Sequence, residues 1–219
     1  GKMTTTYGAW PFTMRFNGEG PRVAGVTCVG TLPVFRRRGH LRRVVSIHFE
    51  RLHESGERPI AILHASRAAI YQRFGYAVVS TDNAYTVEPR FLQFPHPQAI
   101  SGALREITRN DMALLVDLYR RFREPRTGYL HRGRDMWEAG VLAPAAVGAE
   151  LSIIVYQEAN GVLGYVVYTT EPLPHARPGP AQRLTIRDLV WLTPAAYRAM
   201  WDYFGRMDLV SEIVWQRVP

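Results

Sequence analysis

The sequence predicts an α/β chain of two halves with a common plan, each half a central mixed sheet flanked by helices. Three observations predict it. Short apolar runs alternate with amphipathic helical stretches up to about Val79. A polar, proline-containing break follows between Phe94 and Gly102. The pattern then restarts with a capped helix, a tight-hairpin signal and a second capped helix. The expected domains are 1–95 and 103–219.

The first strand is read at Val23 to Val29, where β-branched and small residues alternate as in a buried strand, and Leu32-Pro33 stops it. A helix is expected from about His40 to Glu54, because Leu41, Val44, Val45, Phe49 and Leu52 fall on one face, with Ser55-Gly56 ending it. Pro59 to Leu63 reads as a second strand, Arg67 to Phe74 as a short helix and Tyr76 to Val79 as a third strand. Strand, helix and strand in that order imply a parallel pair with a right-handed crossover. In the second half, Thr108 is an N-cap with Asp111 three residues on, opening a helix to about Arg123 whose buried stripe is Leu115, Leu118, Tyr119 and Phe122. Leu151 to Gln157 and Val162 to Thr169 flank Asn160-Gly161 and form a hairpin. Pro172 to Pro180 is a loop and Leu184 to Val190 a strand. Thr193 caps a helix with Pro194 in its first turn and Tyr197, Met200, Trp201 and Phe204 on its apolar face. Ser211 to Val218 closes as a strand.

Composition narrows the functional classes. Of the 219 residues 47% are hydrophobic, enough for a packed core, yet no run approaches the ~18 apolar residues of a membrane span. The first residues lack the apolar centre of an export signal, and the single cysteine, Cys28, permits no intrachain disulfide; a reducing cytoplasm is the expected compartment. Cys28 itself is expected to pack inside its strand. The net charge of +8 favours an anionic partner, but the basic residues are dispersed except at Arg36-Arg37-Arg38 with Arg42 and Arg43. Histidines are scattered, His48 and His53 stand five apart, and no ligand pair with a third supporting group emerges, so no metal site is expected. Trp191, Tyr197, Trp201 and Phe204 are expected in the core, with a ligand or subunit surface as the alternative.

The most informative segment is the turn between the first strand and the first long helix. A glycine-containing turn at a helix start exposes backbone N–H groups without intrahelical partners. With the helix dipole they make an anion site suited to a pyrophosphate, and Gly39 among the arginines permits close approach. The spacing matches neither a Walker A loop nor a dinucleotide fingerprint. A solvated charge run, or a nucleic-acid contact patch along Arg36 to Arg43, are the other readings of these residues. A patch at a strand-to-helix turn, not along an exposed helix face, argues against nucleic acid.

The run Val29-Gly30-Thr31-Leu32-Pro33-Val34-Phe35-Arg36-Arg37-Arg38-Gly39-His40-Leu41 resembles the acetyl-CoA loop of GNAT N-acetyltransferases, in the form found in the enhanced intracellular survival (Eis) type. A second segment, Ala65-Ser66 followed by Ile70-Tyr71-Gln72-Arg73-Phe74-Gly75-Tyr76, resembles another motif of that type. The resemblance implies tandem GNAT-like domains, the second degenerate, and acetyl-CoA as co-substrate. It implies that the backbone of Val29, Gly30 and Thr31 pairs with the pantetheine arm. Arg37, Arg38, Gly39, His40, Leu41 and Arg42 would surround the pyrophosphate, Ser66 would lie near the thiol end, and Tyr71 would be the general acid. Chemically, a thiolate leaves as the amine attacks, and a positioned tyrosine can return its proton. Tyr71 packed on the sheet is the structural alternative, and Tyr76 is expected in the core. Thr31 stands where the family usually has valine, and Val34-Phe35 where it commonly has Thr-His.

The resemblance further implies an opening segment before Tyr7 and a third, sterol-carrier-like domain whose terminal carboxylate is the family's general base; neither is legible here, and no residue takes the base's role. The expected reaction is acetyl transfer to a primary amine of a small polyamine or aminoglycoside-like acceptor, by a homo-oligomer, with neither nucleic acid nor membrane as partner. A non-catalytic acyl-CoA-binding protein is the alternative.

Overall fold

The computed structural model describes residues 1–94, 101–173 and 182–218. The chain forms two compact units, Gly1–Thr81 with Pro125–His131, and Asp82–Glu124 with Arg132–Pro219.

The first unit holds a three-stranded sheet in the order β1-β2-β3, from β1 (Thr5–Thr13), β2 (Arg22–Thr31) and β3 (Ile60–Ile62). β1 and β2 are antiparallel; β2 and β3 are parallel, as the strand–helix–strand pattern predicts. Between them lies α1 (His40–Ser55), ended by Gly56 in the left-handed conformation, and after β3 comes α2 (Ala68–Gln72). Val23, Ala24, Val26 and Val45 are the buried apolar residues among those described in this unit.

Two expectations change here. β1 was not foreseen: its residues are half-exposed and interrupted by Gly8 and Pro11, so its strand character comes from its pairing with β2. Conversely, Tyr76 to Val79 forms no strand. It follows Gly75, at φ 89°, and leaves Val78 59% and Val79 93% exposed. β-branched composition is only a preference, and among the described residues no neighbour pairs with this segment.

The second unit is a six-stranded sheet in the order β4-β9-β8-β7-β6-β5. Its strands are β4 (Asn83–Val87), β5 (Ala103–Ile107), β6 (Glu150–Glu158), β7 (Gly161–Pro172), β8 (Gln182–Trp191) and β9 (Val210–Val218). β4 pairs antiparallel with β9, which is why the units part at Thr81/Asp82 and not at the polar break expected between 95 and 103. Most of that break, and most of the Pro172 to Pro180 loop, lie outside the described residues. Consecutive buried residues in β6 (Ile153 to Tyr156) and β7 (Gly164 to Tyr168) mean that both sheet faces are covered.

Helices α3 (Met112–Arg123) and α5 (Pro194–Phe204) both pack on these strands; α4 (Arg134–Met136) is a single turn. The Thr108–Asp111 capping box forms, and Leu115, Leu118, Tyr119 and Phe122 are the buried stripe of α3. Thr193 Oγ1 accepts from the Ala196 amide and caps α5. Met200, Trp201 and Phe204 are buried with Trp215, Ile213 and Val166, while Tyr197 and Trp191 pack at the margin of this cluster, so the aromatic group is core. The hairpin turn is Ala159-Asn160, because Glu158 pairs directly with Gly161.

Candidate functional site

The sequence-predicted site residues all fall in the first unit. They occupy three features: an irregularity in β2, the arginine–glycine turn, and a cluster of tyrosines around α2.

The pairing of β1 with β2 runs Thr6 with Gly30 and then Gly8 with Thr27, so Cys28 and Val29 together oppose Tyr7. This is a β-bulge, which leaves backbone groups of the extra residue outside the ladder and bends the strand. Cys28 takes φ 52°, a left-handed conformation that L-residues adopt at some cost, and is exposed. The expectation that Cys28 packs inside the strand is therefore corrected: the bulge turns its side chain out of the pleat. Beyond it the Thr5 and Thr31 hydroxyls lie 3.2 Å apart, and Leu32 N–H donates to Thr4 at 2.9 Å. Val29 lies in the bulge, whereas Gly30 and Thr31 pair with Thr6 and Thr5. Among the described residues β3 pairs only with Val23, Ala24 and Gly25, so this end of β2 carries no strand on its other edge, an arrangement suited to pairing with an amide-bearing chain.

The turn opens with one 3₁₀ turn, Pro33–Phe35. Arg36 Nε donates back to the Thr31 carbonyl at 3.2 Å, which ties the turn to the strand end. The Arg38 guanidinium lies 5.4 Å from the centre of the Phe35 ring. Arg37 at φ 61° and Gly39 at φ 82° are both left-handed, on either side of Arg38. A Cβ on Gly39 would meet nothing within 4 Å, so the constraint on this position is its dihedral angle and not crowding. α1 then starts without a side-chain cap and with no acidic residue in its first turn. Its free N–H groups, its dipole, and the exposed Arg37, Arg38 and Arg42 make a concentrated donor site for an anion. His40 and Leu41 are partly buried at the helix start.

Tyr71 lies on α2, partly buried, with the exposed Ser66 in the turn before that helix. The rings of Tyr71 and Tyr76 meet edge to face at 5.9 Å, and Tyr76 packs on Phe49 at 5.8 Å. Tyr76 is half-buried, and its hydroxyl is buried within the influence of Tyr7. The Tyr7 hydroxyl from β1 lies 2.7 Å from His48 Nδ1 on α1, with the two rings edge to face at 5.1 Å. Burial, followed by the neighbouring Tyr76 and Tyr71, pushes the Tyr7 phenol well above its ordinary range. Burial also raises Tyr76, against a smaller opposing hydrogen-bond effect from Tyr7. His48 is pushed down by burial and by Arg51, so its neutral form is favoured.

Tyr7 and His48 escaped the sequence reading. The available signal was His48 itself, a polar residue on the same helix stripe as Leu41, Val44, Val45 and Leu52. Its partner, 41 residues away, has no local signature. Among the described residues no three His, Cys, Asp or Glu side chains come together as a metal site, and no helix is long and apolar enough to cross a membrane.

The family description "Acetyltransferase (GNAT) domain" matches residues 1–79 and, separately, 128–219. N-acetyltransferase Eis of Mycobacterium tuberculosis is 31% identical over 198 residues, which is 87% of this chain and 46% of that protein. An uncharacterized N-acetyltransferase of Streptomyces coelicolor is 28% identical over 95% of this chain and 51% of its own length. The chain spans about half the length of the curated relatives it matches. In fold it is similar to a GCN5-related N-acetyltransferase from Anabaena variabilis, with TM-score 0.81 and 20% identity, covering 96% of this chain and 52% of that one. It is likewise similar to Eis1 from Mycobacterium abscessus, with TM-score 0.75 and 24% identity, over 98% of this chain and 54% of that one. The two family matches, the bulged strand leading into an arginine–glycine helix start, and the Eis relatives together place the chain in the GNAT acetyltransferase family, in its Eis type.

Proposed function

We propose that the protein is an N-acetyltransferase that moves an acetyl group from acetyl-CoA to a primary amine of a small polyamine or aminoglycoside-like acceptor. The observation that carries the reading is the uncapped start of α1, preceded by left-handed Arg37 and Gly39 and carrying no acidic residue. That donor set fits a pyrophosphate. The backbone of Arg37, Arg38, Gly39, His40, Leu41 and Arg42 would hold it, with the arginine side chains adding charge. Val29, Gly30 and Thr31, beside the bulge, would pair with the pantetheine amides, and Ser66 would lie toward the thiol end. Acetyl-CoA, when bound, supplies an activated acyl thioester.

The residue proposed to act on the reacting atoms is Tyr71. Its hydroxyl gives a proton to the sulfur that leaves as the amine attacks, which removes the cost of expelling a bare thiolate. The second unit offers no equivalent site at its corresponding helix, because Thr193 and Pro194 already satisfy and block the start of α5. The first unit is therefore the proposed acetyl-CoA domain, with the second serving the acceptor or the homo-oligomer; light scattering on the full chain tests self-association. The general base lies outside the residues assigned here.

Calorimetry with acetyl-CoA on wild type, Gly39→Asn and Gly39→Asp tests the loop. Asn and Asp are nearly isosteric and both tolerate a left-handed backbone, so they differ at this position by one charge. Asp is expected to weaken binding about tenfold or more relative to Asn, because its carboxylate faces the phosphates. Equal binding by both variants refutes the loop assignment. Thiol release with a panel of primary amines tests turnover, and tight binding without turnover on any of them identifies a non-catalytic acyl-CoA-binding protein instead.

A further inference from the structure

We infer that Tyr7 and His48 are positioning residues that hold the β2 bulge and α1 in one register, so that the two ends of acetyl-CoA meet their partners at a fixed spacing. The inference rests on the reading of those two elements as the acetyl-CoA site, with pantetheine beside the bulge and pyrophosphate at the helix start. Its first support is the strand pairing: Tyr7 is the single β1 residue that faces both Cys28 and Val29. The extra residue of a bulge has no partner across the ladder, so the ladder alone holds this stretch of β2 weakly. The second support is the Tyr7 side chain. Its hydroxyl lies 2.7 Å from His48 Nδ1 on α1, and the two rings meet edge to face at 5.1 Å. Among the described residues this is the one side-chain hydrogen bond that joins α1 to β1, β2 or β3.

The bond supplies what apolar packing does not. The buried Val45 keeps α1 on the sheet, but apolar burial is non-directional and permits sliding along the strands. A short hydrogen bond has a preferred length and angle and resists that motion. His48 follows His40 by about two helical turns, or about 12 Å along the axis, so fixing it against Tyr7 fixes the start of α1 as well. One pair of side chains thereby ties the strand that would meet pantetheine to the helix that would meet the pyrophosphate. Burial keeps Tyr7 in its O–H form, and burial together with Arg51 favours neutral His48. The tie therefore places no charge of its own beside an anionic ligand. Both residues act through the backbone of Val29, Gly30 and Thr31 and not on the reacting atoms.

The test compares two ligands by calorimetry on the full chain: CoA, which spans both elements, and ADP, which carries the pyrophosphate without pantetheine. Tyr7→Phe and His48→Leu are each expected to weaken CoA binding about tenfold and to leave ADP binding within about twofold. The double variant is expected to bind CoA no more weakly than the singles, because each already removes the same bond. His48→Asn, whose amide keeps a hydrogen-bonding group near the Nδ1 position, is expected to recover CoA binding to within about threefold of wild type. Wild-type CoA affinity in both single variants overturns the inference and leaves the acetyl-CoA site standing. Equal weakening of CoA and ADP also overturns it, since a loss of packing harms both ends alike. Wild type that binds CoA without measurable affinity for ADP removes the two-part site on which the inference depends. Wild type that binds neither refutes the acetyl-CoA reading and this inference with it. Should Tyr7→Phe fail to fold by circular dichroism, the contrast between His48→Leu and His48→Asn decides, and no recovery in His48→Asn overturns the inference.

Discussion

The Arg132 guanidinium forks onto both oxygens of the Asp188 carboxylate, at 2.5 and 3.0 Å, inside the second unit. Tyr165 donates to the same carboxylate at 2.6 Å, and the guanidinium stacks 3.8 Å from the centre of the Tyr119 ring and 5.2 Å from that of Trp137. Burial disfavours the Arg132 charge, but Asp188 outweighs it and holds the guanidinium above its ordinary range. The pair joins α3, β7 and β8 in one network.

Removing one partner leaves the other charge buried and uncompensated. Asp188→Ala is therefore expected to destabilise the protein by about 3–5 kcal/mol in a denaturant titration. Replacing both partners by apolar residues, as in Arg132→Met with Asp188→Leu, should cost less than the single change. A loss below about 1 kcal/mol for Asp188→Ala would mean that the network contributes no more than an exposed ion pair.

Alkaline conditions should weaken the fold through its buried phenols. Burial first, and then Asp188, raises Tyr165 well above the ordinary value of 10.0. Tyr7 and Tyr168 are raised chiefly by burial as well. The native state holds these protons more tightly than the unfolded chain. Their contribution is therefore complete below about pH 10 and is lost as pH rises above it. Melting temperature should fall steeply as pH rises above about 10, and Tyr165→Phe should flatten part of that slope. An unchanged slope in Tyr165→Phe would assign the alkaline loss to the other tyrosines.

The Thr108 cap stands apart from both networks. Its hydroxyl accepts from Asn110 N–H at 3.3 Å, while Asp111 Oδ2 accepts from Thr108 N–H at 3.0 Å. Thr108→Ala should lower stability by about 1 kcal/mol, measured as a shift in the denaturation midpoint. No shift would show that solvent replaces the cap without loss.

Cys28 offers a direct check on the β2 bulge. Its exposed side chain should react with a disulfide reagent in the native protein at a rate within about tenfold of the unfolded chain. Strong protection would mean that β2 runs regularly through this position and that the cysteine packs inward.

The helices were legible because their signals are local. The stripe Leu115, Leu118, Tyr119 and Phe122 has the helical period, and Thr108, Thr193 and Gly56 mark ends by chemistry within four residues of the helix they bound. The arginine–glycine turn was legible for the same reason: an uncapped helix start next to glycine is a short-range feature. Strands were read less well. Tyr76 to Val79 has strand composition without a partner, whereas Thr5 to Thr13 has poor composition and a partner in β2. Pairing is a property of two segments, and one segment does not contain it.

By itself, the sequence determined the α/β class, the capped helices, the parallel β2–β3 crossover and the arginine–glycine start of α1. Each follows from periodicity or from steric limits within a few residues. Tertiary structure alone decided that β4 leaves the first unit for β9, that a bulge exposes Cys28, and that Tyr7 meets His48 across 41 positions and Arg132 meets Asp188 across 56. Such contacts depend on how segments distant in the chain exclude water together, and burial of that kind has no period to read.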